Sequence, residues 1–403
     1  MNYVKRTLQL GALLLAAAFA PKGQGAALPK EAANLTPTDQ AGLSQQDIFV
    51  SGQGSYHTYR IPALIITSNQ TLLAFCEGRK HSRSDTGDID LLLRRSTDGG
   101  RTWSESQVVW DDGPNTCGNP CPVLDEQTGI IWLLLTHNRG NTVERQIRDR
   151  KPGAMRTVWV SRSEDNGRTW APPKEITAST KAPSWRWYAT GPGVGIQLQH
   201  GPHRGRLVIP CDYSFPVPER AAGGPVDEGG AHIIYSDDHG QTWELGGTVQ
   251  PGMNESQVIE LSDGQGGLLI NMRTTAKATR RAQSISHDGG QTWTTPDYPT
   301  ELVEPHCQGS ILRYDWPVDG EPGRLLFSNP ASTSRTNLTV RVSRDNGKTW
   351  PVSRSLHEGP SAYSCLTVLP DKSIGCLYEC GPSNAYENIR FARFPIGWLE
   401  RSK

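Results

Sequence analysis

STDGGRTW (Ser96–Trp103), SEDNGRTW (Ser163–Trp170), SDDHGQTW (Ser236–Trp243), SHDGGQTW (Ser286–Trp293) and SRDNGKTW (Ser343–Trp350) are five copies of one phrase, Ser-x-Asp-x-Gly-x-Thr-Trp. Self-similarity at intervals of tens of residues means one supersecondary unit used several times over. The aspartate can fold its carboxylate back onto nearby backbone N–H groups, and the glycine accepts positive φ. Thr-Trp then restarts a strand, with the indole as an apolar plug between packed sheets. Alternating apolar stretches precede the copies, as at Asp90–Arg95, Arg156–Ser161 and Leu338–Val342. Each copy therefore reads as the loop of an antiparallel hairpin.

The aspartates of the phrase, at 98, 165, 238, 288 and 345, lie 67, 73, 50 and 57 residues apart. That interval suits a four-stranded antiparallel blade of a β-propeller with loops of variable length. The 403-residue chain is thus read as all-β, with one repeat domain over residues 45–403. Ahead of it, Lys5 and Arg6 precede an apolar run from Leu8 to Ala20 and small residues at Gly25–Ala27. This is the pattern of an export signal over residues 1–25, followed by a polar lead-in over 26–44. The run is too short to cross a bilayer, and no other stretch comes nearer. The mature chain is expected outside the cytoplasm: periplasmic, on the cell surface or secreted.

Formal net charge is zero and the pI about 7.1, so no basic field favours nucleic acid or anionic lipid. The eight cysteines (76, 117, 121, 211, 307, 365, 376 and 380) allow one or two disulfides after export. Cys117/Cys121 and Cys376/Cys380 lack the spacing of a structural zinc site, so no metal and no cofactor is expected. Residues 191–195 form a glycine-rich stretch without the lysine and helix of a phosphate cradle, and read as a tight loop.

Propellers serve many functions, so chemistry must be sought outside the repeats. Arg60 in Tyr59-Arg-Ile-Pro62, Arg273 in Leu269-Ile-Asn-Met-Arg273 and Arg341 in Leu338-Thr-Val-Arg341 are lone arginines on or beside apolar strands. Buried there, each demands an anion. Three converging guanidinium groups could clamp one carboxylate with bidentate geometry.

With Tyr-Arg-Ile-Pro, five boxes and downstream arginines together, the chain resembles the bacterial and animal exo-α-sialidases from about Val50 to its C-terminus. Leu73–Arg79, Asn119–Pro122, Gly191–Gly193, Glu255–Val258, Ala362–Ser364 and Cys376–Glu379 extend the resemblance. It implies a six-bladed propeller, the sixth blade closing without a box, with the active site at one end of a central channel. It implies that Arg60, Arg273 and Arg341 hold the sialic acid carboxylate and that Tyr363 is the nucleophile. Glu255 would activate the tyrosine, Asp85 would be the general acid/base, and Arg79 would line the pocket beside the acid. Asn119 and the Tyr213 region resemble walls of the acylamino pocket. Glu260 stands near Glu255, and Asp88 and Asp90 near Asp85, as competing carboxylates. The aromatic run Trp185-Arg-Trp-Tyr188 suits either core packing or the aglycone side.

The residue types match the chemistry. Sialic acid carries a carboxylate on its anomeric carbon, against which a carboxylate nucleophile would be repelled and a phenol would not. Tyrosine-using sialidases are a recognised exception to the two-carboxylate rule of glycoside hydrolysis. Ionising a phenol of ordinary pKa at pH 7 costs about 4 kcal/mol, hence the need for a base at Tyr363, with nearby arginines expected to lower its pKa further. The expected activity is retaining hydrolysis of sialylated glycans through a tyrosyl-sialoside. A sialic-acid-binding propeller without catalysis, or an endo-acting glucan hydrolase with two carboxylates and no arginine clamp, are the competing classes.

Overall fold

A computed structural model describes residues 42–217, 227–275 and 279–401. The proposed export signal lies outside these residues. The regular structure of the described residues is strand apart from three helices of four or five residues, as the boxes required. No described helix is long and apolar enough to cross a membrane.

The strands pair into antiparallel runs of chain neighbours. Thr58–Ile66, Leu72–Arg79, Ile89–Ser96 and Gln107–Trp110 pair in succession. Thr116–Leu124, Ile131–Asn138, Thr157–Ser163 and Lys174–Glu175 repeat the pattern. Further on, Met253–Glu260 pairs with Leu268–Thr274, which pairs with Ala282–Ser286. The 17-residue strand Val352–Val368 serves two runs, pairing Thr336–Ser343 through its first half and Ile374–Cys380 through its second. At the ends of the described chain, Ser44–Val50 pairs with Asn388–Phe394, so early and late residues share one sheet.

Every box is the hairpin loop its sequence promised, placed after the third strand of its run. In the second copy Ser163 Oγ donates to Asp165 Oδ1 at 2.8 Å, and the same oxygen accepts the amides of Arg168 and Thr169 at 2.9 Å. Thr169 Oγ1 donates to Asp165 Oδ2 at 2.6 Å. The two residues after the aspartate both have positive φ, 59° at Asn166 and 76° at Gly167, which explains why only Gly, Asn and His fill the first of these positions. The tryptophans bridge to a neighbouring run: Trp103 packs on Phe391, Trp170 on Phe75 and Trp243 on Trp132, with centroids 5.2, 5.6 and 6.4 Å apart.

Partial burial pulls the Asp165 and Asp288 carboxyls upward, but their hydroxyl and amide donors outweigh it and hold both at about 2. Unfolded aspartate titrates near 3.9, so this stabilisation is complete above that pH and is lost as pH falls toward 2. Asp165→Ala is expected to cost on the order of 1–3 kcal/mol at pH 7, read as a denaturant midpoint, and to cost far less at pH 2.5. Equal losses at both pH values would refute the hydrogen-bonded carboxylate as the cause.

All eight cysteines are buried and unpaired. The one or two disulfides that the cysteine count allowed are not formed. The thiols are spent as small apolar fillers in the strands, as Cys76, Cys211 and Cys376 show in three separate core clusters.

Candidate active site

The strands Thr58–Ile66, Thr116–Leu124, Met253–Glu260 and Val352–Val368 share a peculiarity. Each breaks register once with the strand that follows it: between Arg60 and Ala63, Gly118 and Cys121, Met253 and Ser256, and Ser361 and Ser364. Bulges re-aim side chains, and each of these carries a residue singled out above. Two are strained as well. Ile61 has φ 60°, exceptional for a β-branched residue, and Asn119 has φ 53°. Such strain persists only where surrounding contacts over-determine it. Glu379 Oε1 accepts the Ile61 amide at 2.9 Å, and Glu77 Oε1 accepts that of Asn119 at 2.8 Å.

The four bulges open onto one polar cavity of about 260 Å³. Arg60, Arg79, Asp85, Asn119, Glu255, Arg273 and Tyr363 all line it, drawn from positions spread over 300 residues of sequence. Arg341 does not. It lies in the opposite half of its strand, where Nη1 donates to Asn329 Oδ1 at 3.0 Å. The expectation for Arg341 is corrected by strand polarity: the cavity meets first strands at their start, second strands at their end and third strands at their start. Arg341 is two residues before the box Ser343, at the end of a third strand. Arg335, just before that strand, lines the cavity instead.

Tyr363 is buried, and its hydroxyl donates to Glu255 Oε1. Arg273 Nη1 donates to Glu255 Oε2 at 2.7 Å and to the Tyr363 hydroxyl at 3.2 Å. The guanidinium carbons of Arg60 and Arg335 stand 5.1 and 5.5 Å from the Tyr363 ring centroid. Burial and the Glu255 charge raise the Tyr363 pKa well above that of a free phenol, and the pull of Arg273 and Arg335 does not offset them. The arginines do pull the pKa down, as expected, but burial and Glu255 outweigh them and favour the protonated phenol. Glu379 fixes this floor: it accepts from Arg60 Nε at 2.7 Å and from the Tyr363 amide at 3.2 Å.

On one wall Asp85, 66% exposed, meets Arg79 Nη1 at 2.8 Å and Arg60 Nη1 at 3.9 Å. The protein packed around the cavity mouth partly desolvates the carboxyl and opposes ionisation, but Arg79 and Arg60 prevail and lower its pKa. Asp88 and Asp90 are elsewhere, gathered on Lys80 Nζ at 2.8 and 3.1 Å. Asp88, Asp90 and Asp111 are close enough to hold a cation, but the lysine already stands among them. Glu260 is also remote, accepting the amides of Gln199 and His200.

The far wall carries Arg156, which the sequence reading passed over, and Asp212, which lies within the Tyr213 region (Pro210–Ser214) expected there. Arg156 is buried without a carboxylate partner among its described contacts. It donates to Asn119 Oδ1 and, at 2.5 Å, to Asn138 Oδ1, with its guanidinium carbon 4.2 Å from the Trp187 centroid. Asp212, 1% exposed, accepts from Asn254 Nδ2 at 3.0 Å while its Oδ1 has no hydrogen-bond partner among the described residues. Tyr213 is not at the cavity. It stacks on Trp185 at 3.6 Å, and its hydroxyl donates to Gln250. The aromatic run thus divides, with Trp185 in the core and Trp187 on the cavity wall. Arg156 and Arg335 were discoverable, since both directly precede a third strand that ends in a box.

The BNR repeat-like domain family matches residues 70–376. A sialidase of Micromonospora viridifaciens is 38% identical over 96% of this chain, which spans 59% of that relative's length. An exo-alpha-sialidase of Arthroderma benhamiae is 31% identical, covering 94% of this chain and 92% of its own. Among solved structures, a Hadza microbial sialidase superposes with a TM-score of 0.74 at 31% identity, covering 87% of this chain and 68% of that one.

Proposed function

Because the chain belongs to the sialidase family, we propose that it is a retaining exo-α-sialidase that releases terminal sialic acids from glycoconjugates. The observation that carries this reading is the Tyr363 hydroxyl bonded to Glu255, with Arg60, Arg273 and Arg335 around it. A phenol paired with a carboxylate base among three cations suits a substrate that brings its own carboxylate to the reacting carbon. The successive strand runs support six blades, one of which, Met253–Ser286, has three strands among the described residues, and the last of which is completed by Ser44–Val50.

The clamp binds the carboxylate through Arg60, Arg273 and Arg335. Tyr363 passes its proton to Glu255 and attacks the anomeric carbon, while Asp85 gives its proton to the departing glycosidic oxygen. Water, deprotonated by Asp85, then cleaves the tyrosyl bond, and configuration is retained. Trp187, Arg156, Asn119, Asp212 and Asn254 face the rest of the sugar, with the indole offering apolar surface and the others hydrogen bonds.

Following the sugar released from α2,3- and α2,6-linked sialosides by NMR tests the proposal. The α-anomer of free sialic acid is expected first. A β-anomer would refute retention, an anhydro sugar or a transferred sialoside would replace hydrolysis, and no release would refute the activity.

Asp85 must be protonated to act as an acid, yet Arg79 and Arg60 lower its pKa in the free enzyme. The sign is fixed: the competent fraction grows as pH falls. On a substrate with a poor leaving group, kcat/KM is expected to decline as pH rises through neutrality, and a profile flat to pH 8 would exclude Asp85 as the acid. Asp85→Ala should lower turnover of that substrate by about 10²-fold or more, whereas Asp88→Ala should not.

A further inference from the structure

We propose that Glu77 is a positioning residue for the acid/base, dividing the Arg79 guanidinium between itself and Asp85 and so weakening that cation's hold on the acid. The proposal rests on Asp85 being the acid, as assigned above.

Glu77 and Arg79 are two apart on Leu72–Arg79 and share a face, both buried. Arg79 Nε and Nη2 donate to Glu77 Oε2 at 3.0 and 2.6 Å. The remaining nitrogen, Nη1, reaches Asp85 Oδ1 at 2.8 Å and the Arg83 carbonyl at 2.7 Å. One guanidinium is thus shared between a buried carboxylate and the exposed one that does the chemistry. The other Glu77 oxygen holds the strained Asn119 amide. A Cβ on the preceding residue, Gly118, would come within 2.4 Å of that oxygen, so the approach requires glycine.

The cations acting on Asp85 are Arg79, Arg60 and, farther off, Arg156; Glu144 and Arg148 line the same cavity. Three positive groups around one carboxylate favour its ionised form. Glu77 is the counter-charge placed on the nearest of them. Neutralising it would leave Arg79 to Asp85 and make proton donation harder, without touching the clamp or the nucleophile.

The experiment is Glu77→Gln, assayed on an aryl sialoside with a good leaving group and on sialyllactose, with a pH profile on each. With sialyllactose kcat/KM is expected to fall roughly ten-fold, and its basic limb to move about one unit toward acid, the scale of one charge several ångströms away in a partly screened site. With the aryl sialoside kcat should change less than about two-fold, since little proton donation is required. Equal losses on both substrates with an unmoved limb would overturn the proposal and leave Glu77 a purely structural group. If Glu77→Gln does not fold, Arg79→Lys serves. A lysine is a point charge that cannot bridge both carboxylates, so a substrate-dependent loss with a shifted limb is again expected, and a uniform loss overturns the proposal. Wild-type protein inactive on both sialosides would instead refute the sialidase reading itself.

Discussion

Tyr363→Phe is expected to lower kcat on sialyllactose by about 10³-fold or more while KM changes little, a loss of at least roughly 4 kcal/mol of transition-state stabilisation. The substitution keeps the ring over which Arg60 and Arg335 stand and removes only the oxygen bonded to Glu255 and Arg273. The substrate's carboxylate would still find its three arginines, which is why binding should survive. Because burial and Glu255 hold the phenol protonated in the free site, the proton must move during attack. A standing phenolate is excluded by the same balance. Two consequences distinguish this from a tyrosine already ionised. Glu255→Gln should lose a comparable factor, since a phenol without its base is as poor a nucleophile as no phenol. The double variant should be scarcely worse than either single one, as expected of groups acting as a unit. Turnover near wild type in Tyr363→Phe would remove the tyrosine from the reaction, and additive losses would dissolve the pair.

What the sequence disclosed divides along a physical line. The boxes were fully legible because their information is local: Ser163, Asp165, Gly167 and Thr169 bond one another within seven residues. Tyr363, Glu255, Asp85 and Arg60 were found through short motifs, and the structure gathers all four at one cavity. Glu379 was quoted within such a motif without a role. Its role is to join Arg60, Ile61 and Tyr363, contacts that span 319, 318 and 16 residues, and no local pattern encodes them. Glu77 and Asp212 likewise lay inside quoted stretches, Leu73–Arg79 and the Tyr213 region, without a role of their own, because their partners Asn119 and Asn254 are 42 residues away in each case. Arg341 failed differently. Lying alone in an apolar strand does not tell an arginine which end of that strand it occupies. Strand direction is nonetheless encoded in the sequence. Each box marks where a third strand ends, and antiparallel pairing then fixes which ends of the first and second strands lie opposite. Arg60 opens a first strand, and Arg273 and Arg79 close second strands, so all three lie away from the boxes.

That polarity yields the second large effect. Arg335→Ala is expected to raise KM for sialosides by about 10²–10³-fold, whereas Arg341→Ala should leave it within about two-fold, because charge-assisted bonds contribute roughly 1.5–3 kcal/mol each and a bidentate guanidinium makes two. The residues are six positions apart, so along a strand they would be separated by roughly 20 Å, farther than one carboxylate can bridge. Arg335→Lys should fall between wild type and alanine, since an ammonium supplies charge without the planar fork. Arg335 also donates to the Tyr386 hydroxyl at 2.7 Å and to the His306 carbonyl at 3.2 Å, so part of any loss could come through a displaced loop. A competitor lacking the carboxylate separates the two causes. If Arg335 acts on the substrate's anion, Arg335→Ala should weaken free sialic acid strongly and its carboxyl-reduced analogue hardly at all. A displaced loop would weaken both alike. Should Arg341→Ala instead carry the carboxylate-dependent loss, the clamp would have to be rebuilt around the box end of the strands, and with it the placement of Tyr363 and Glu255.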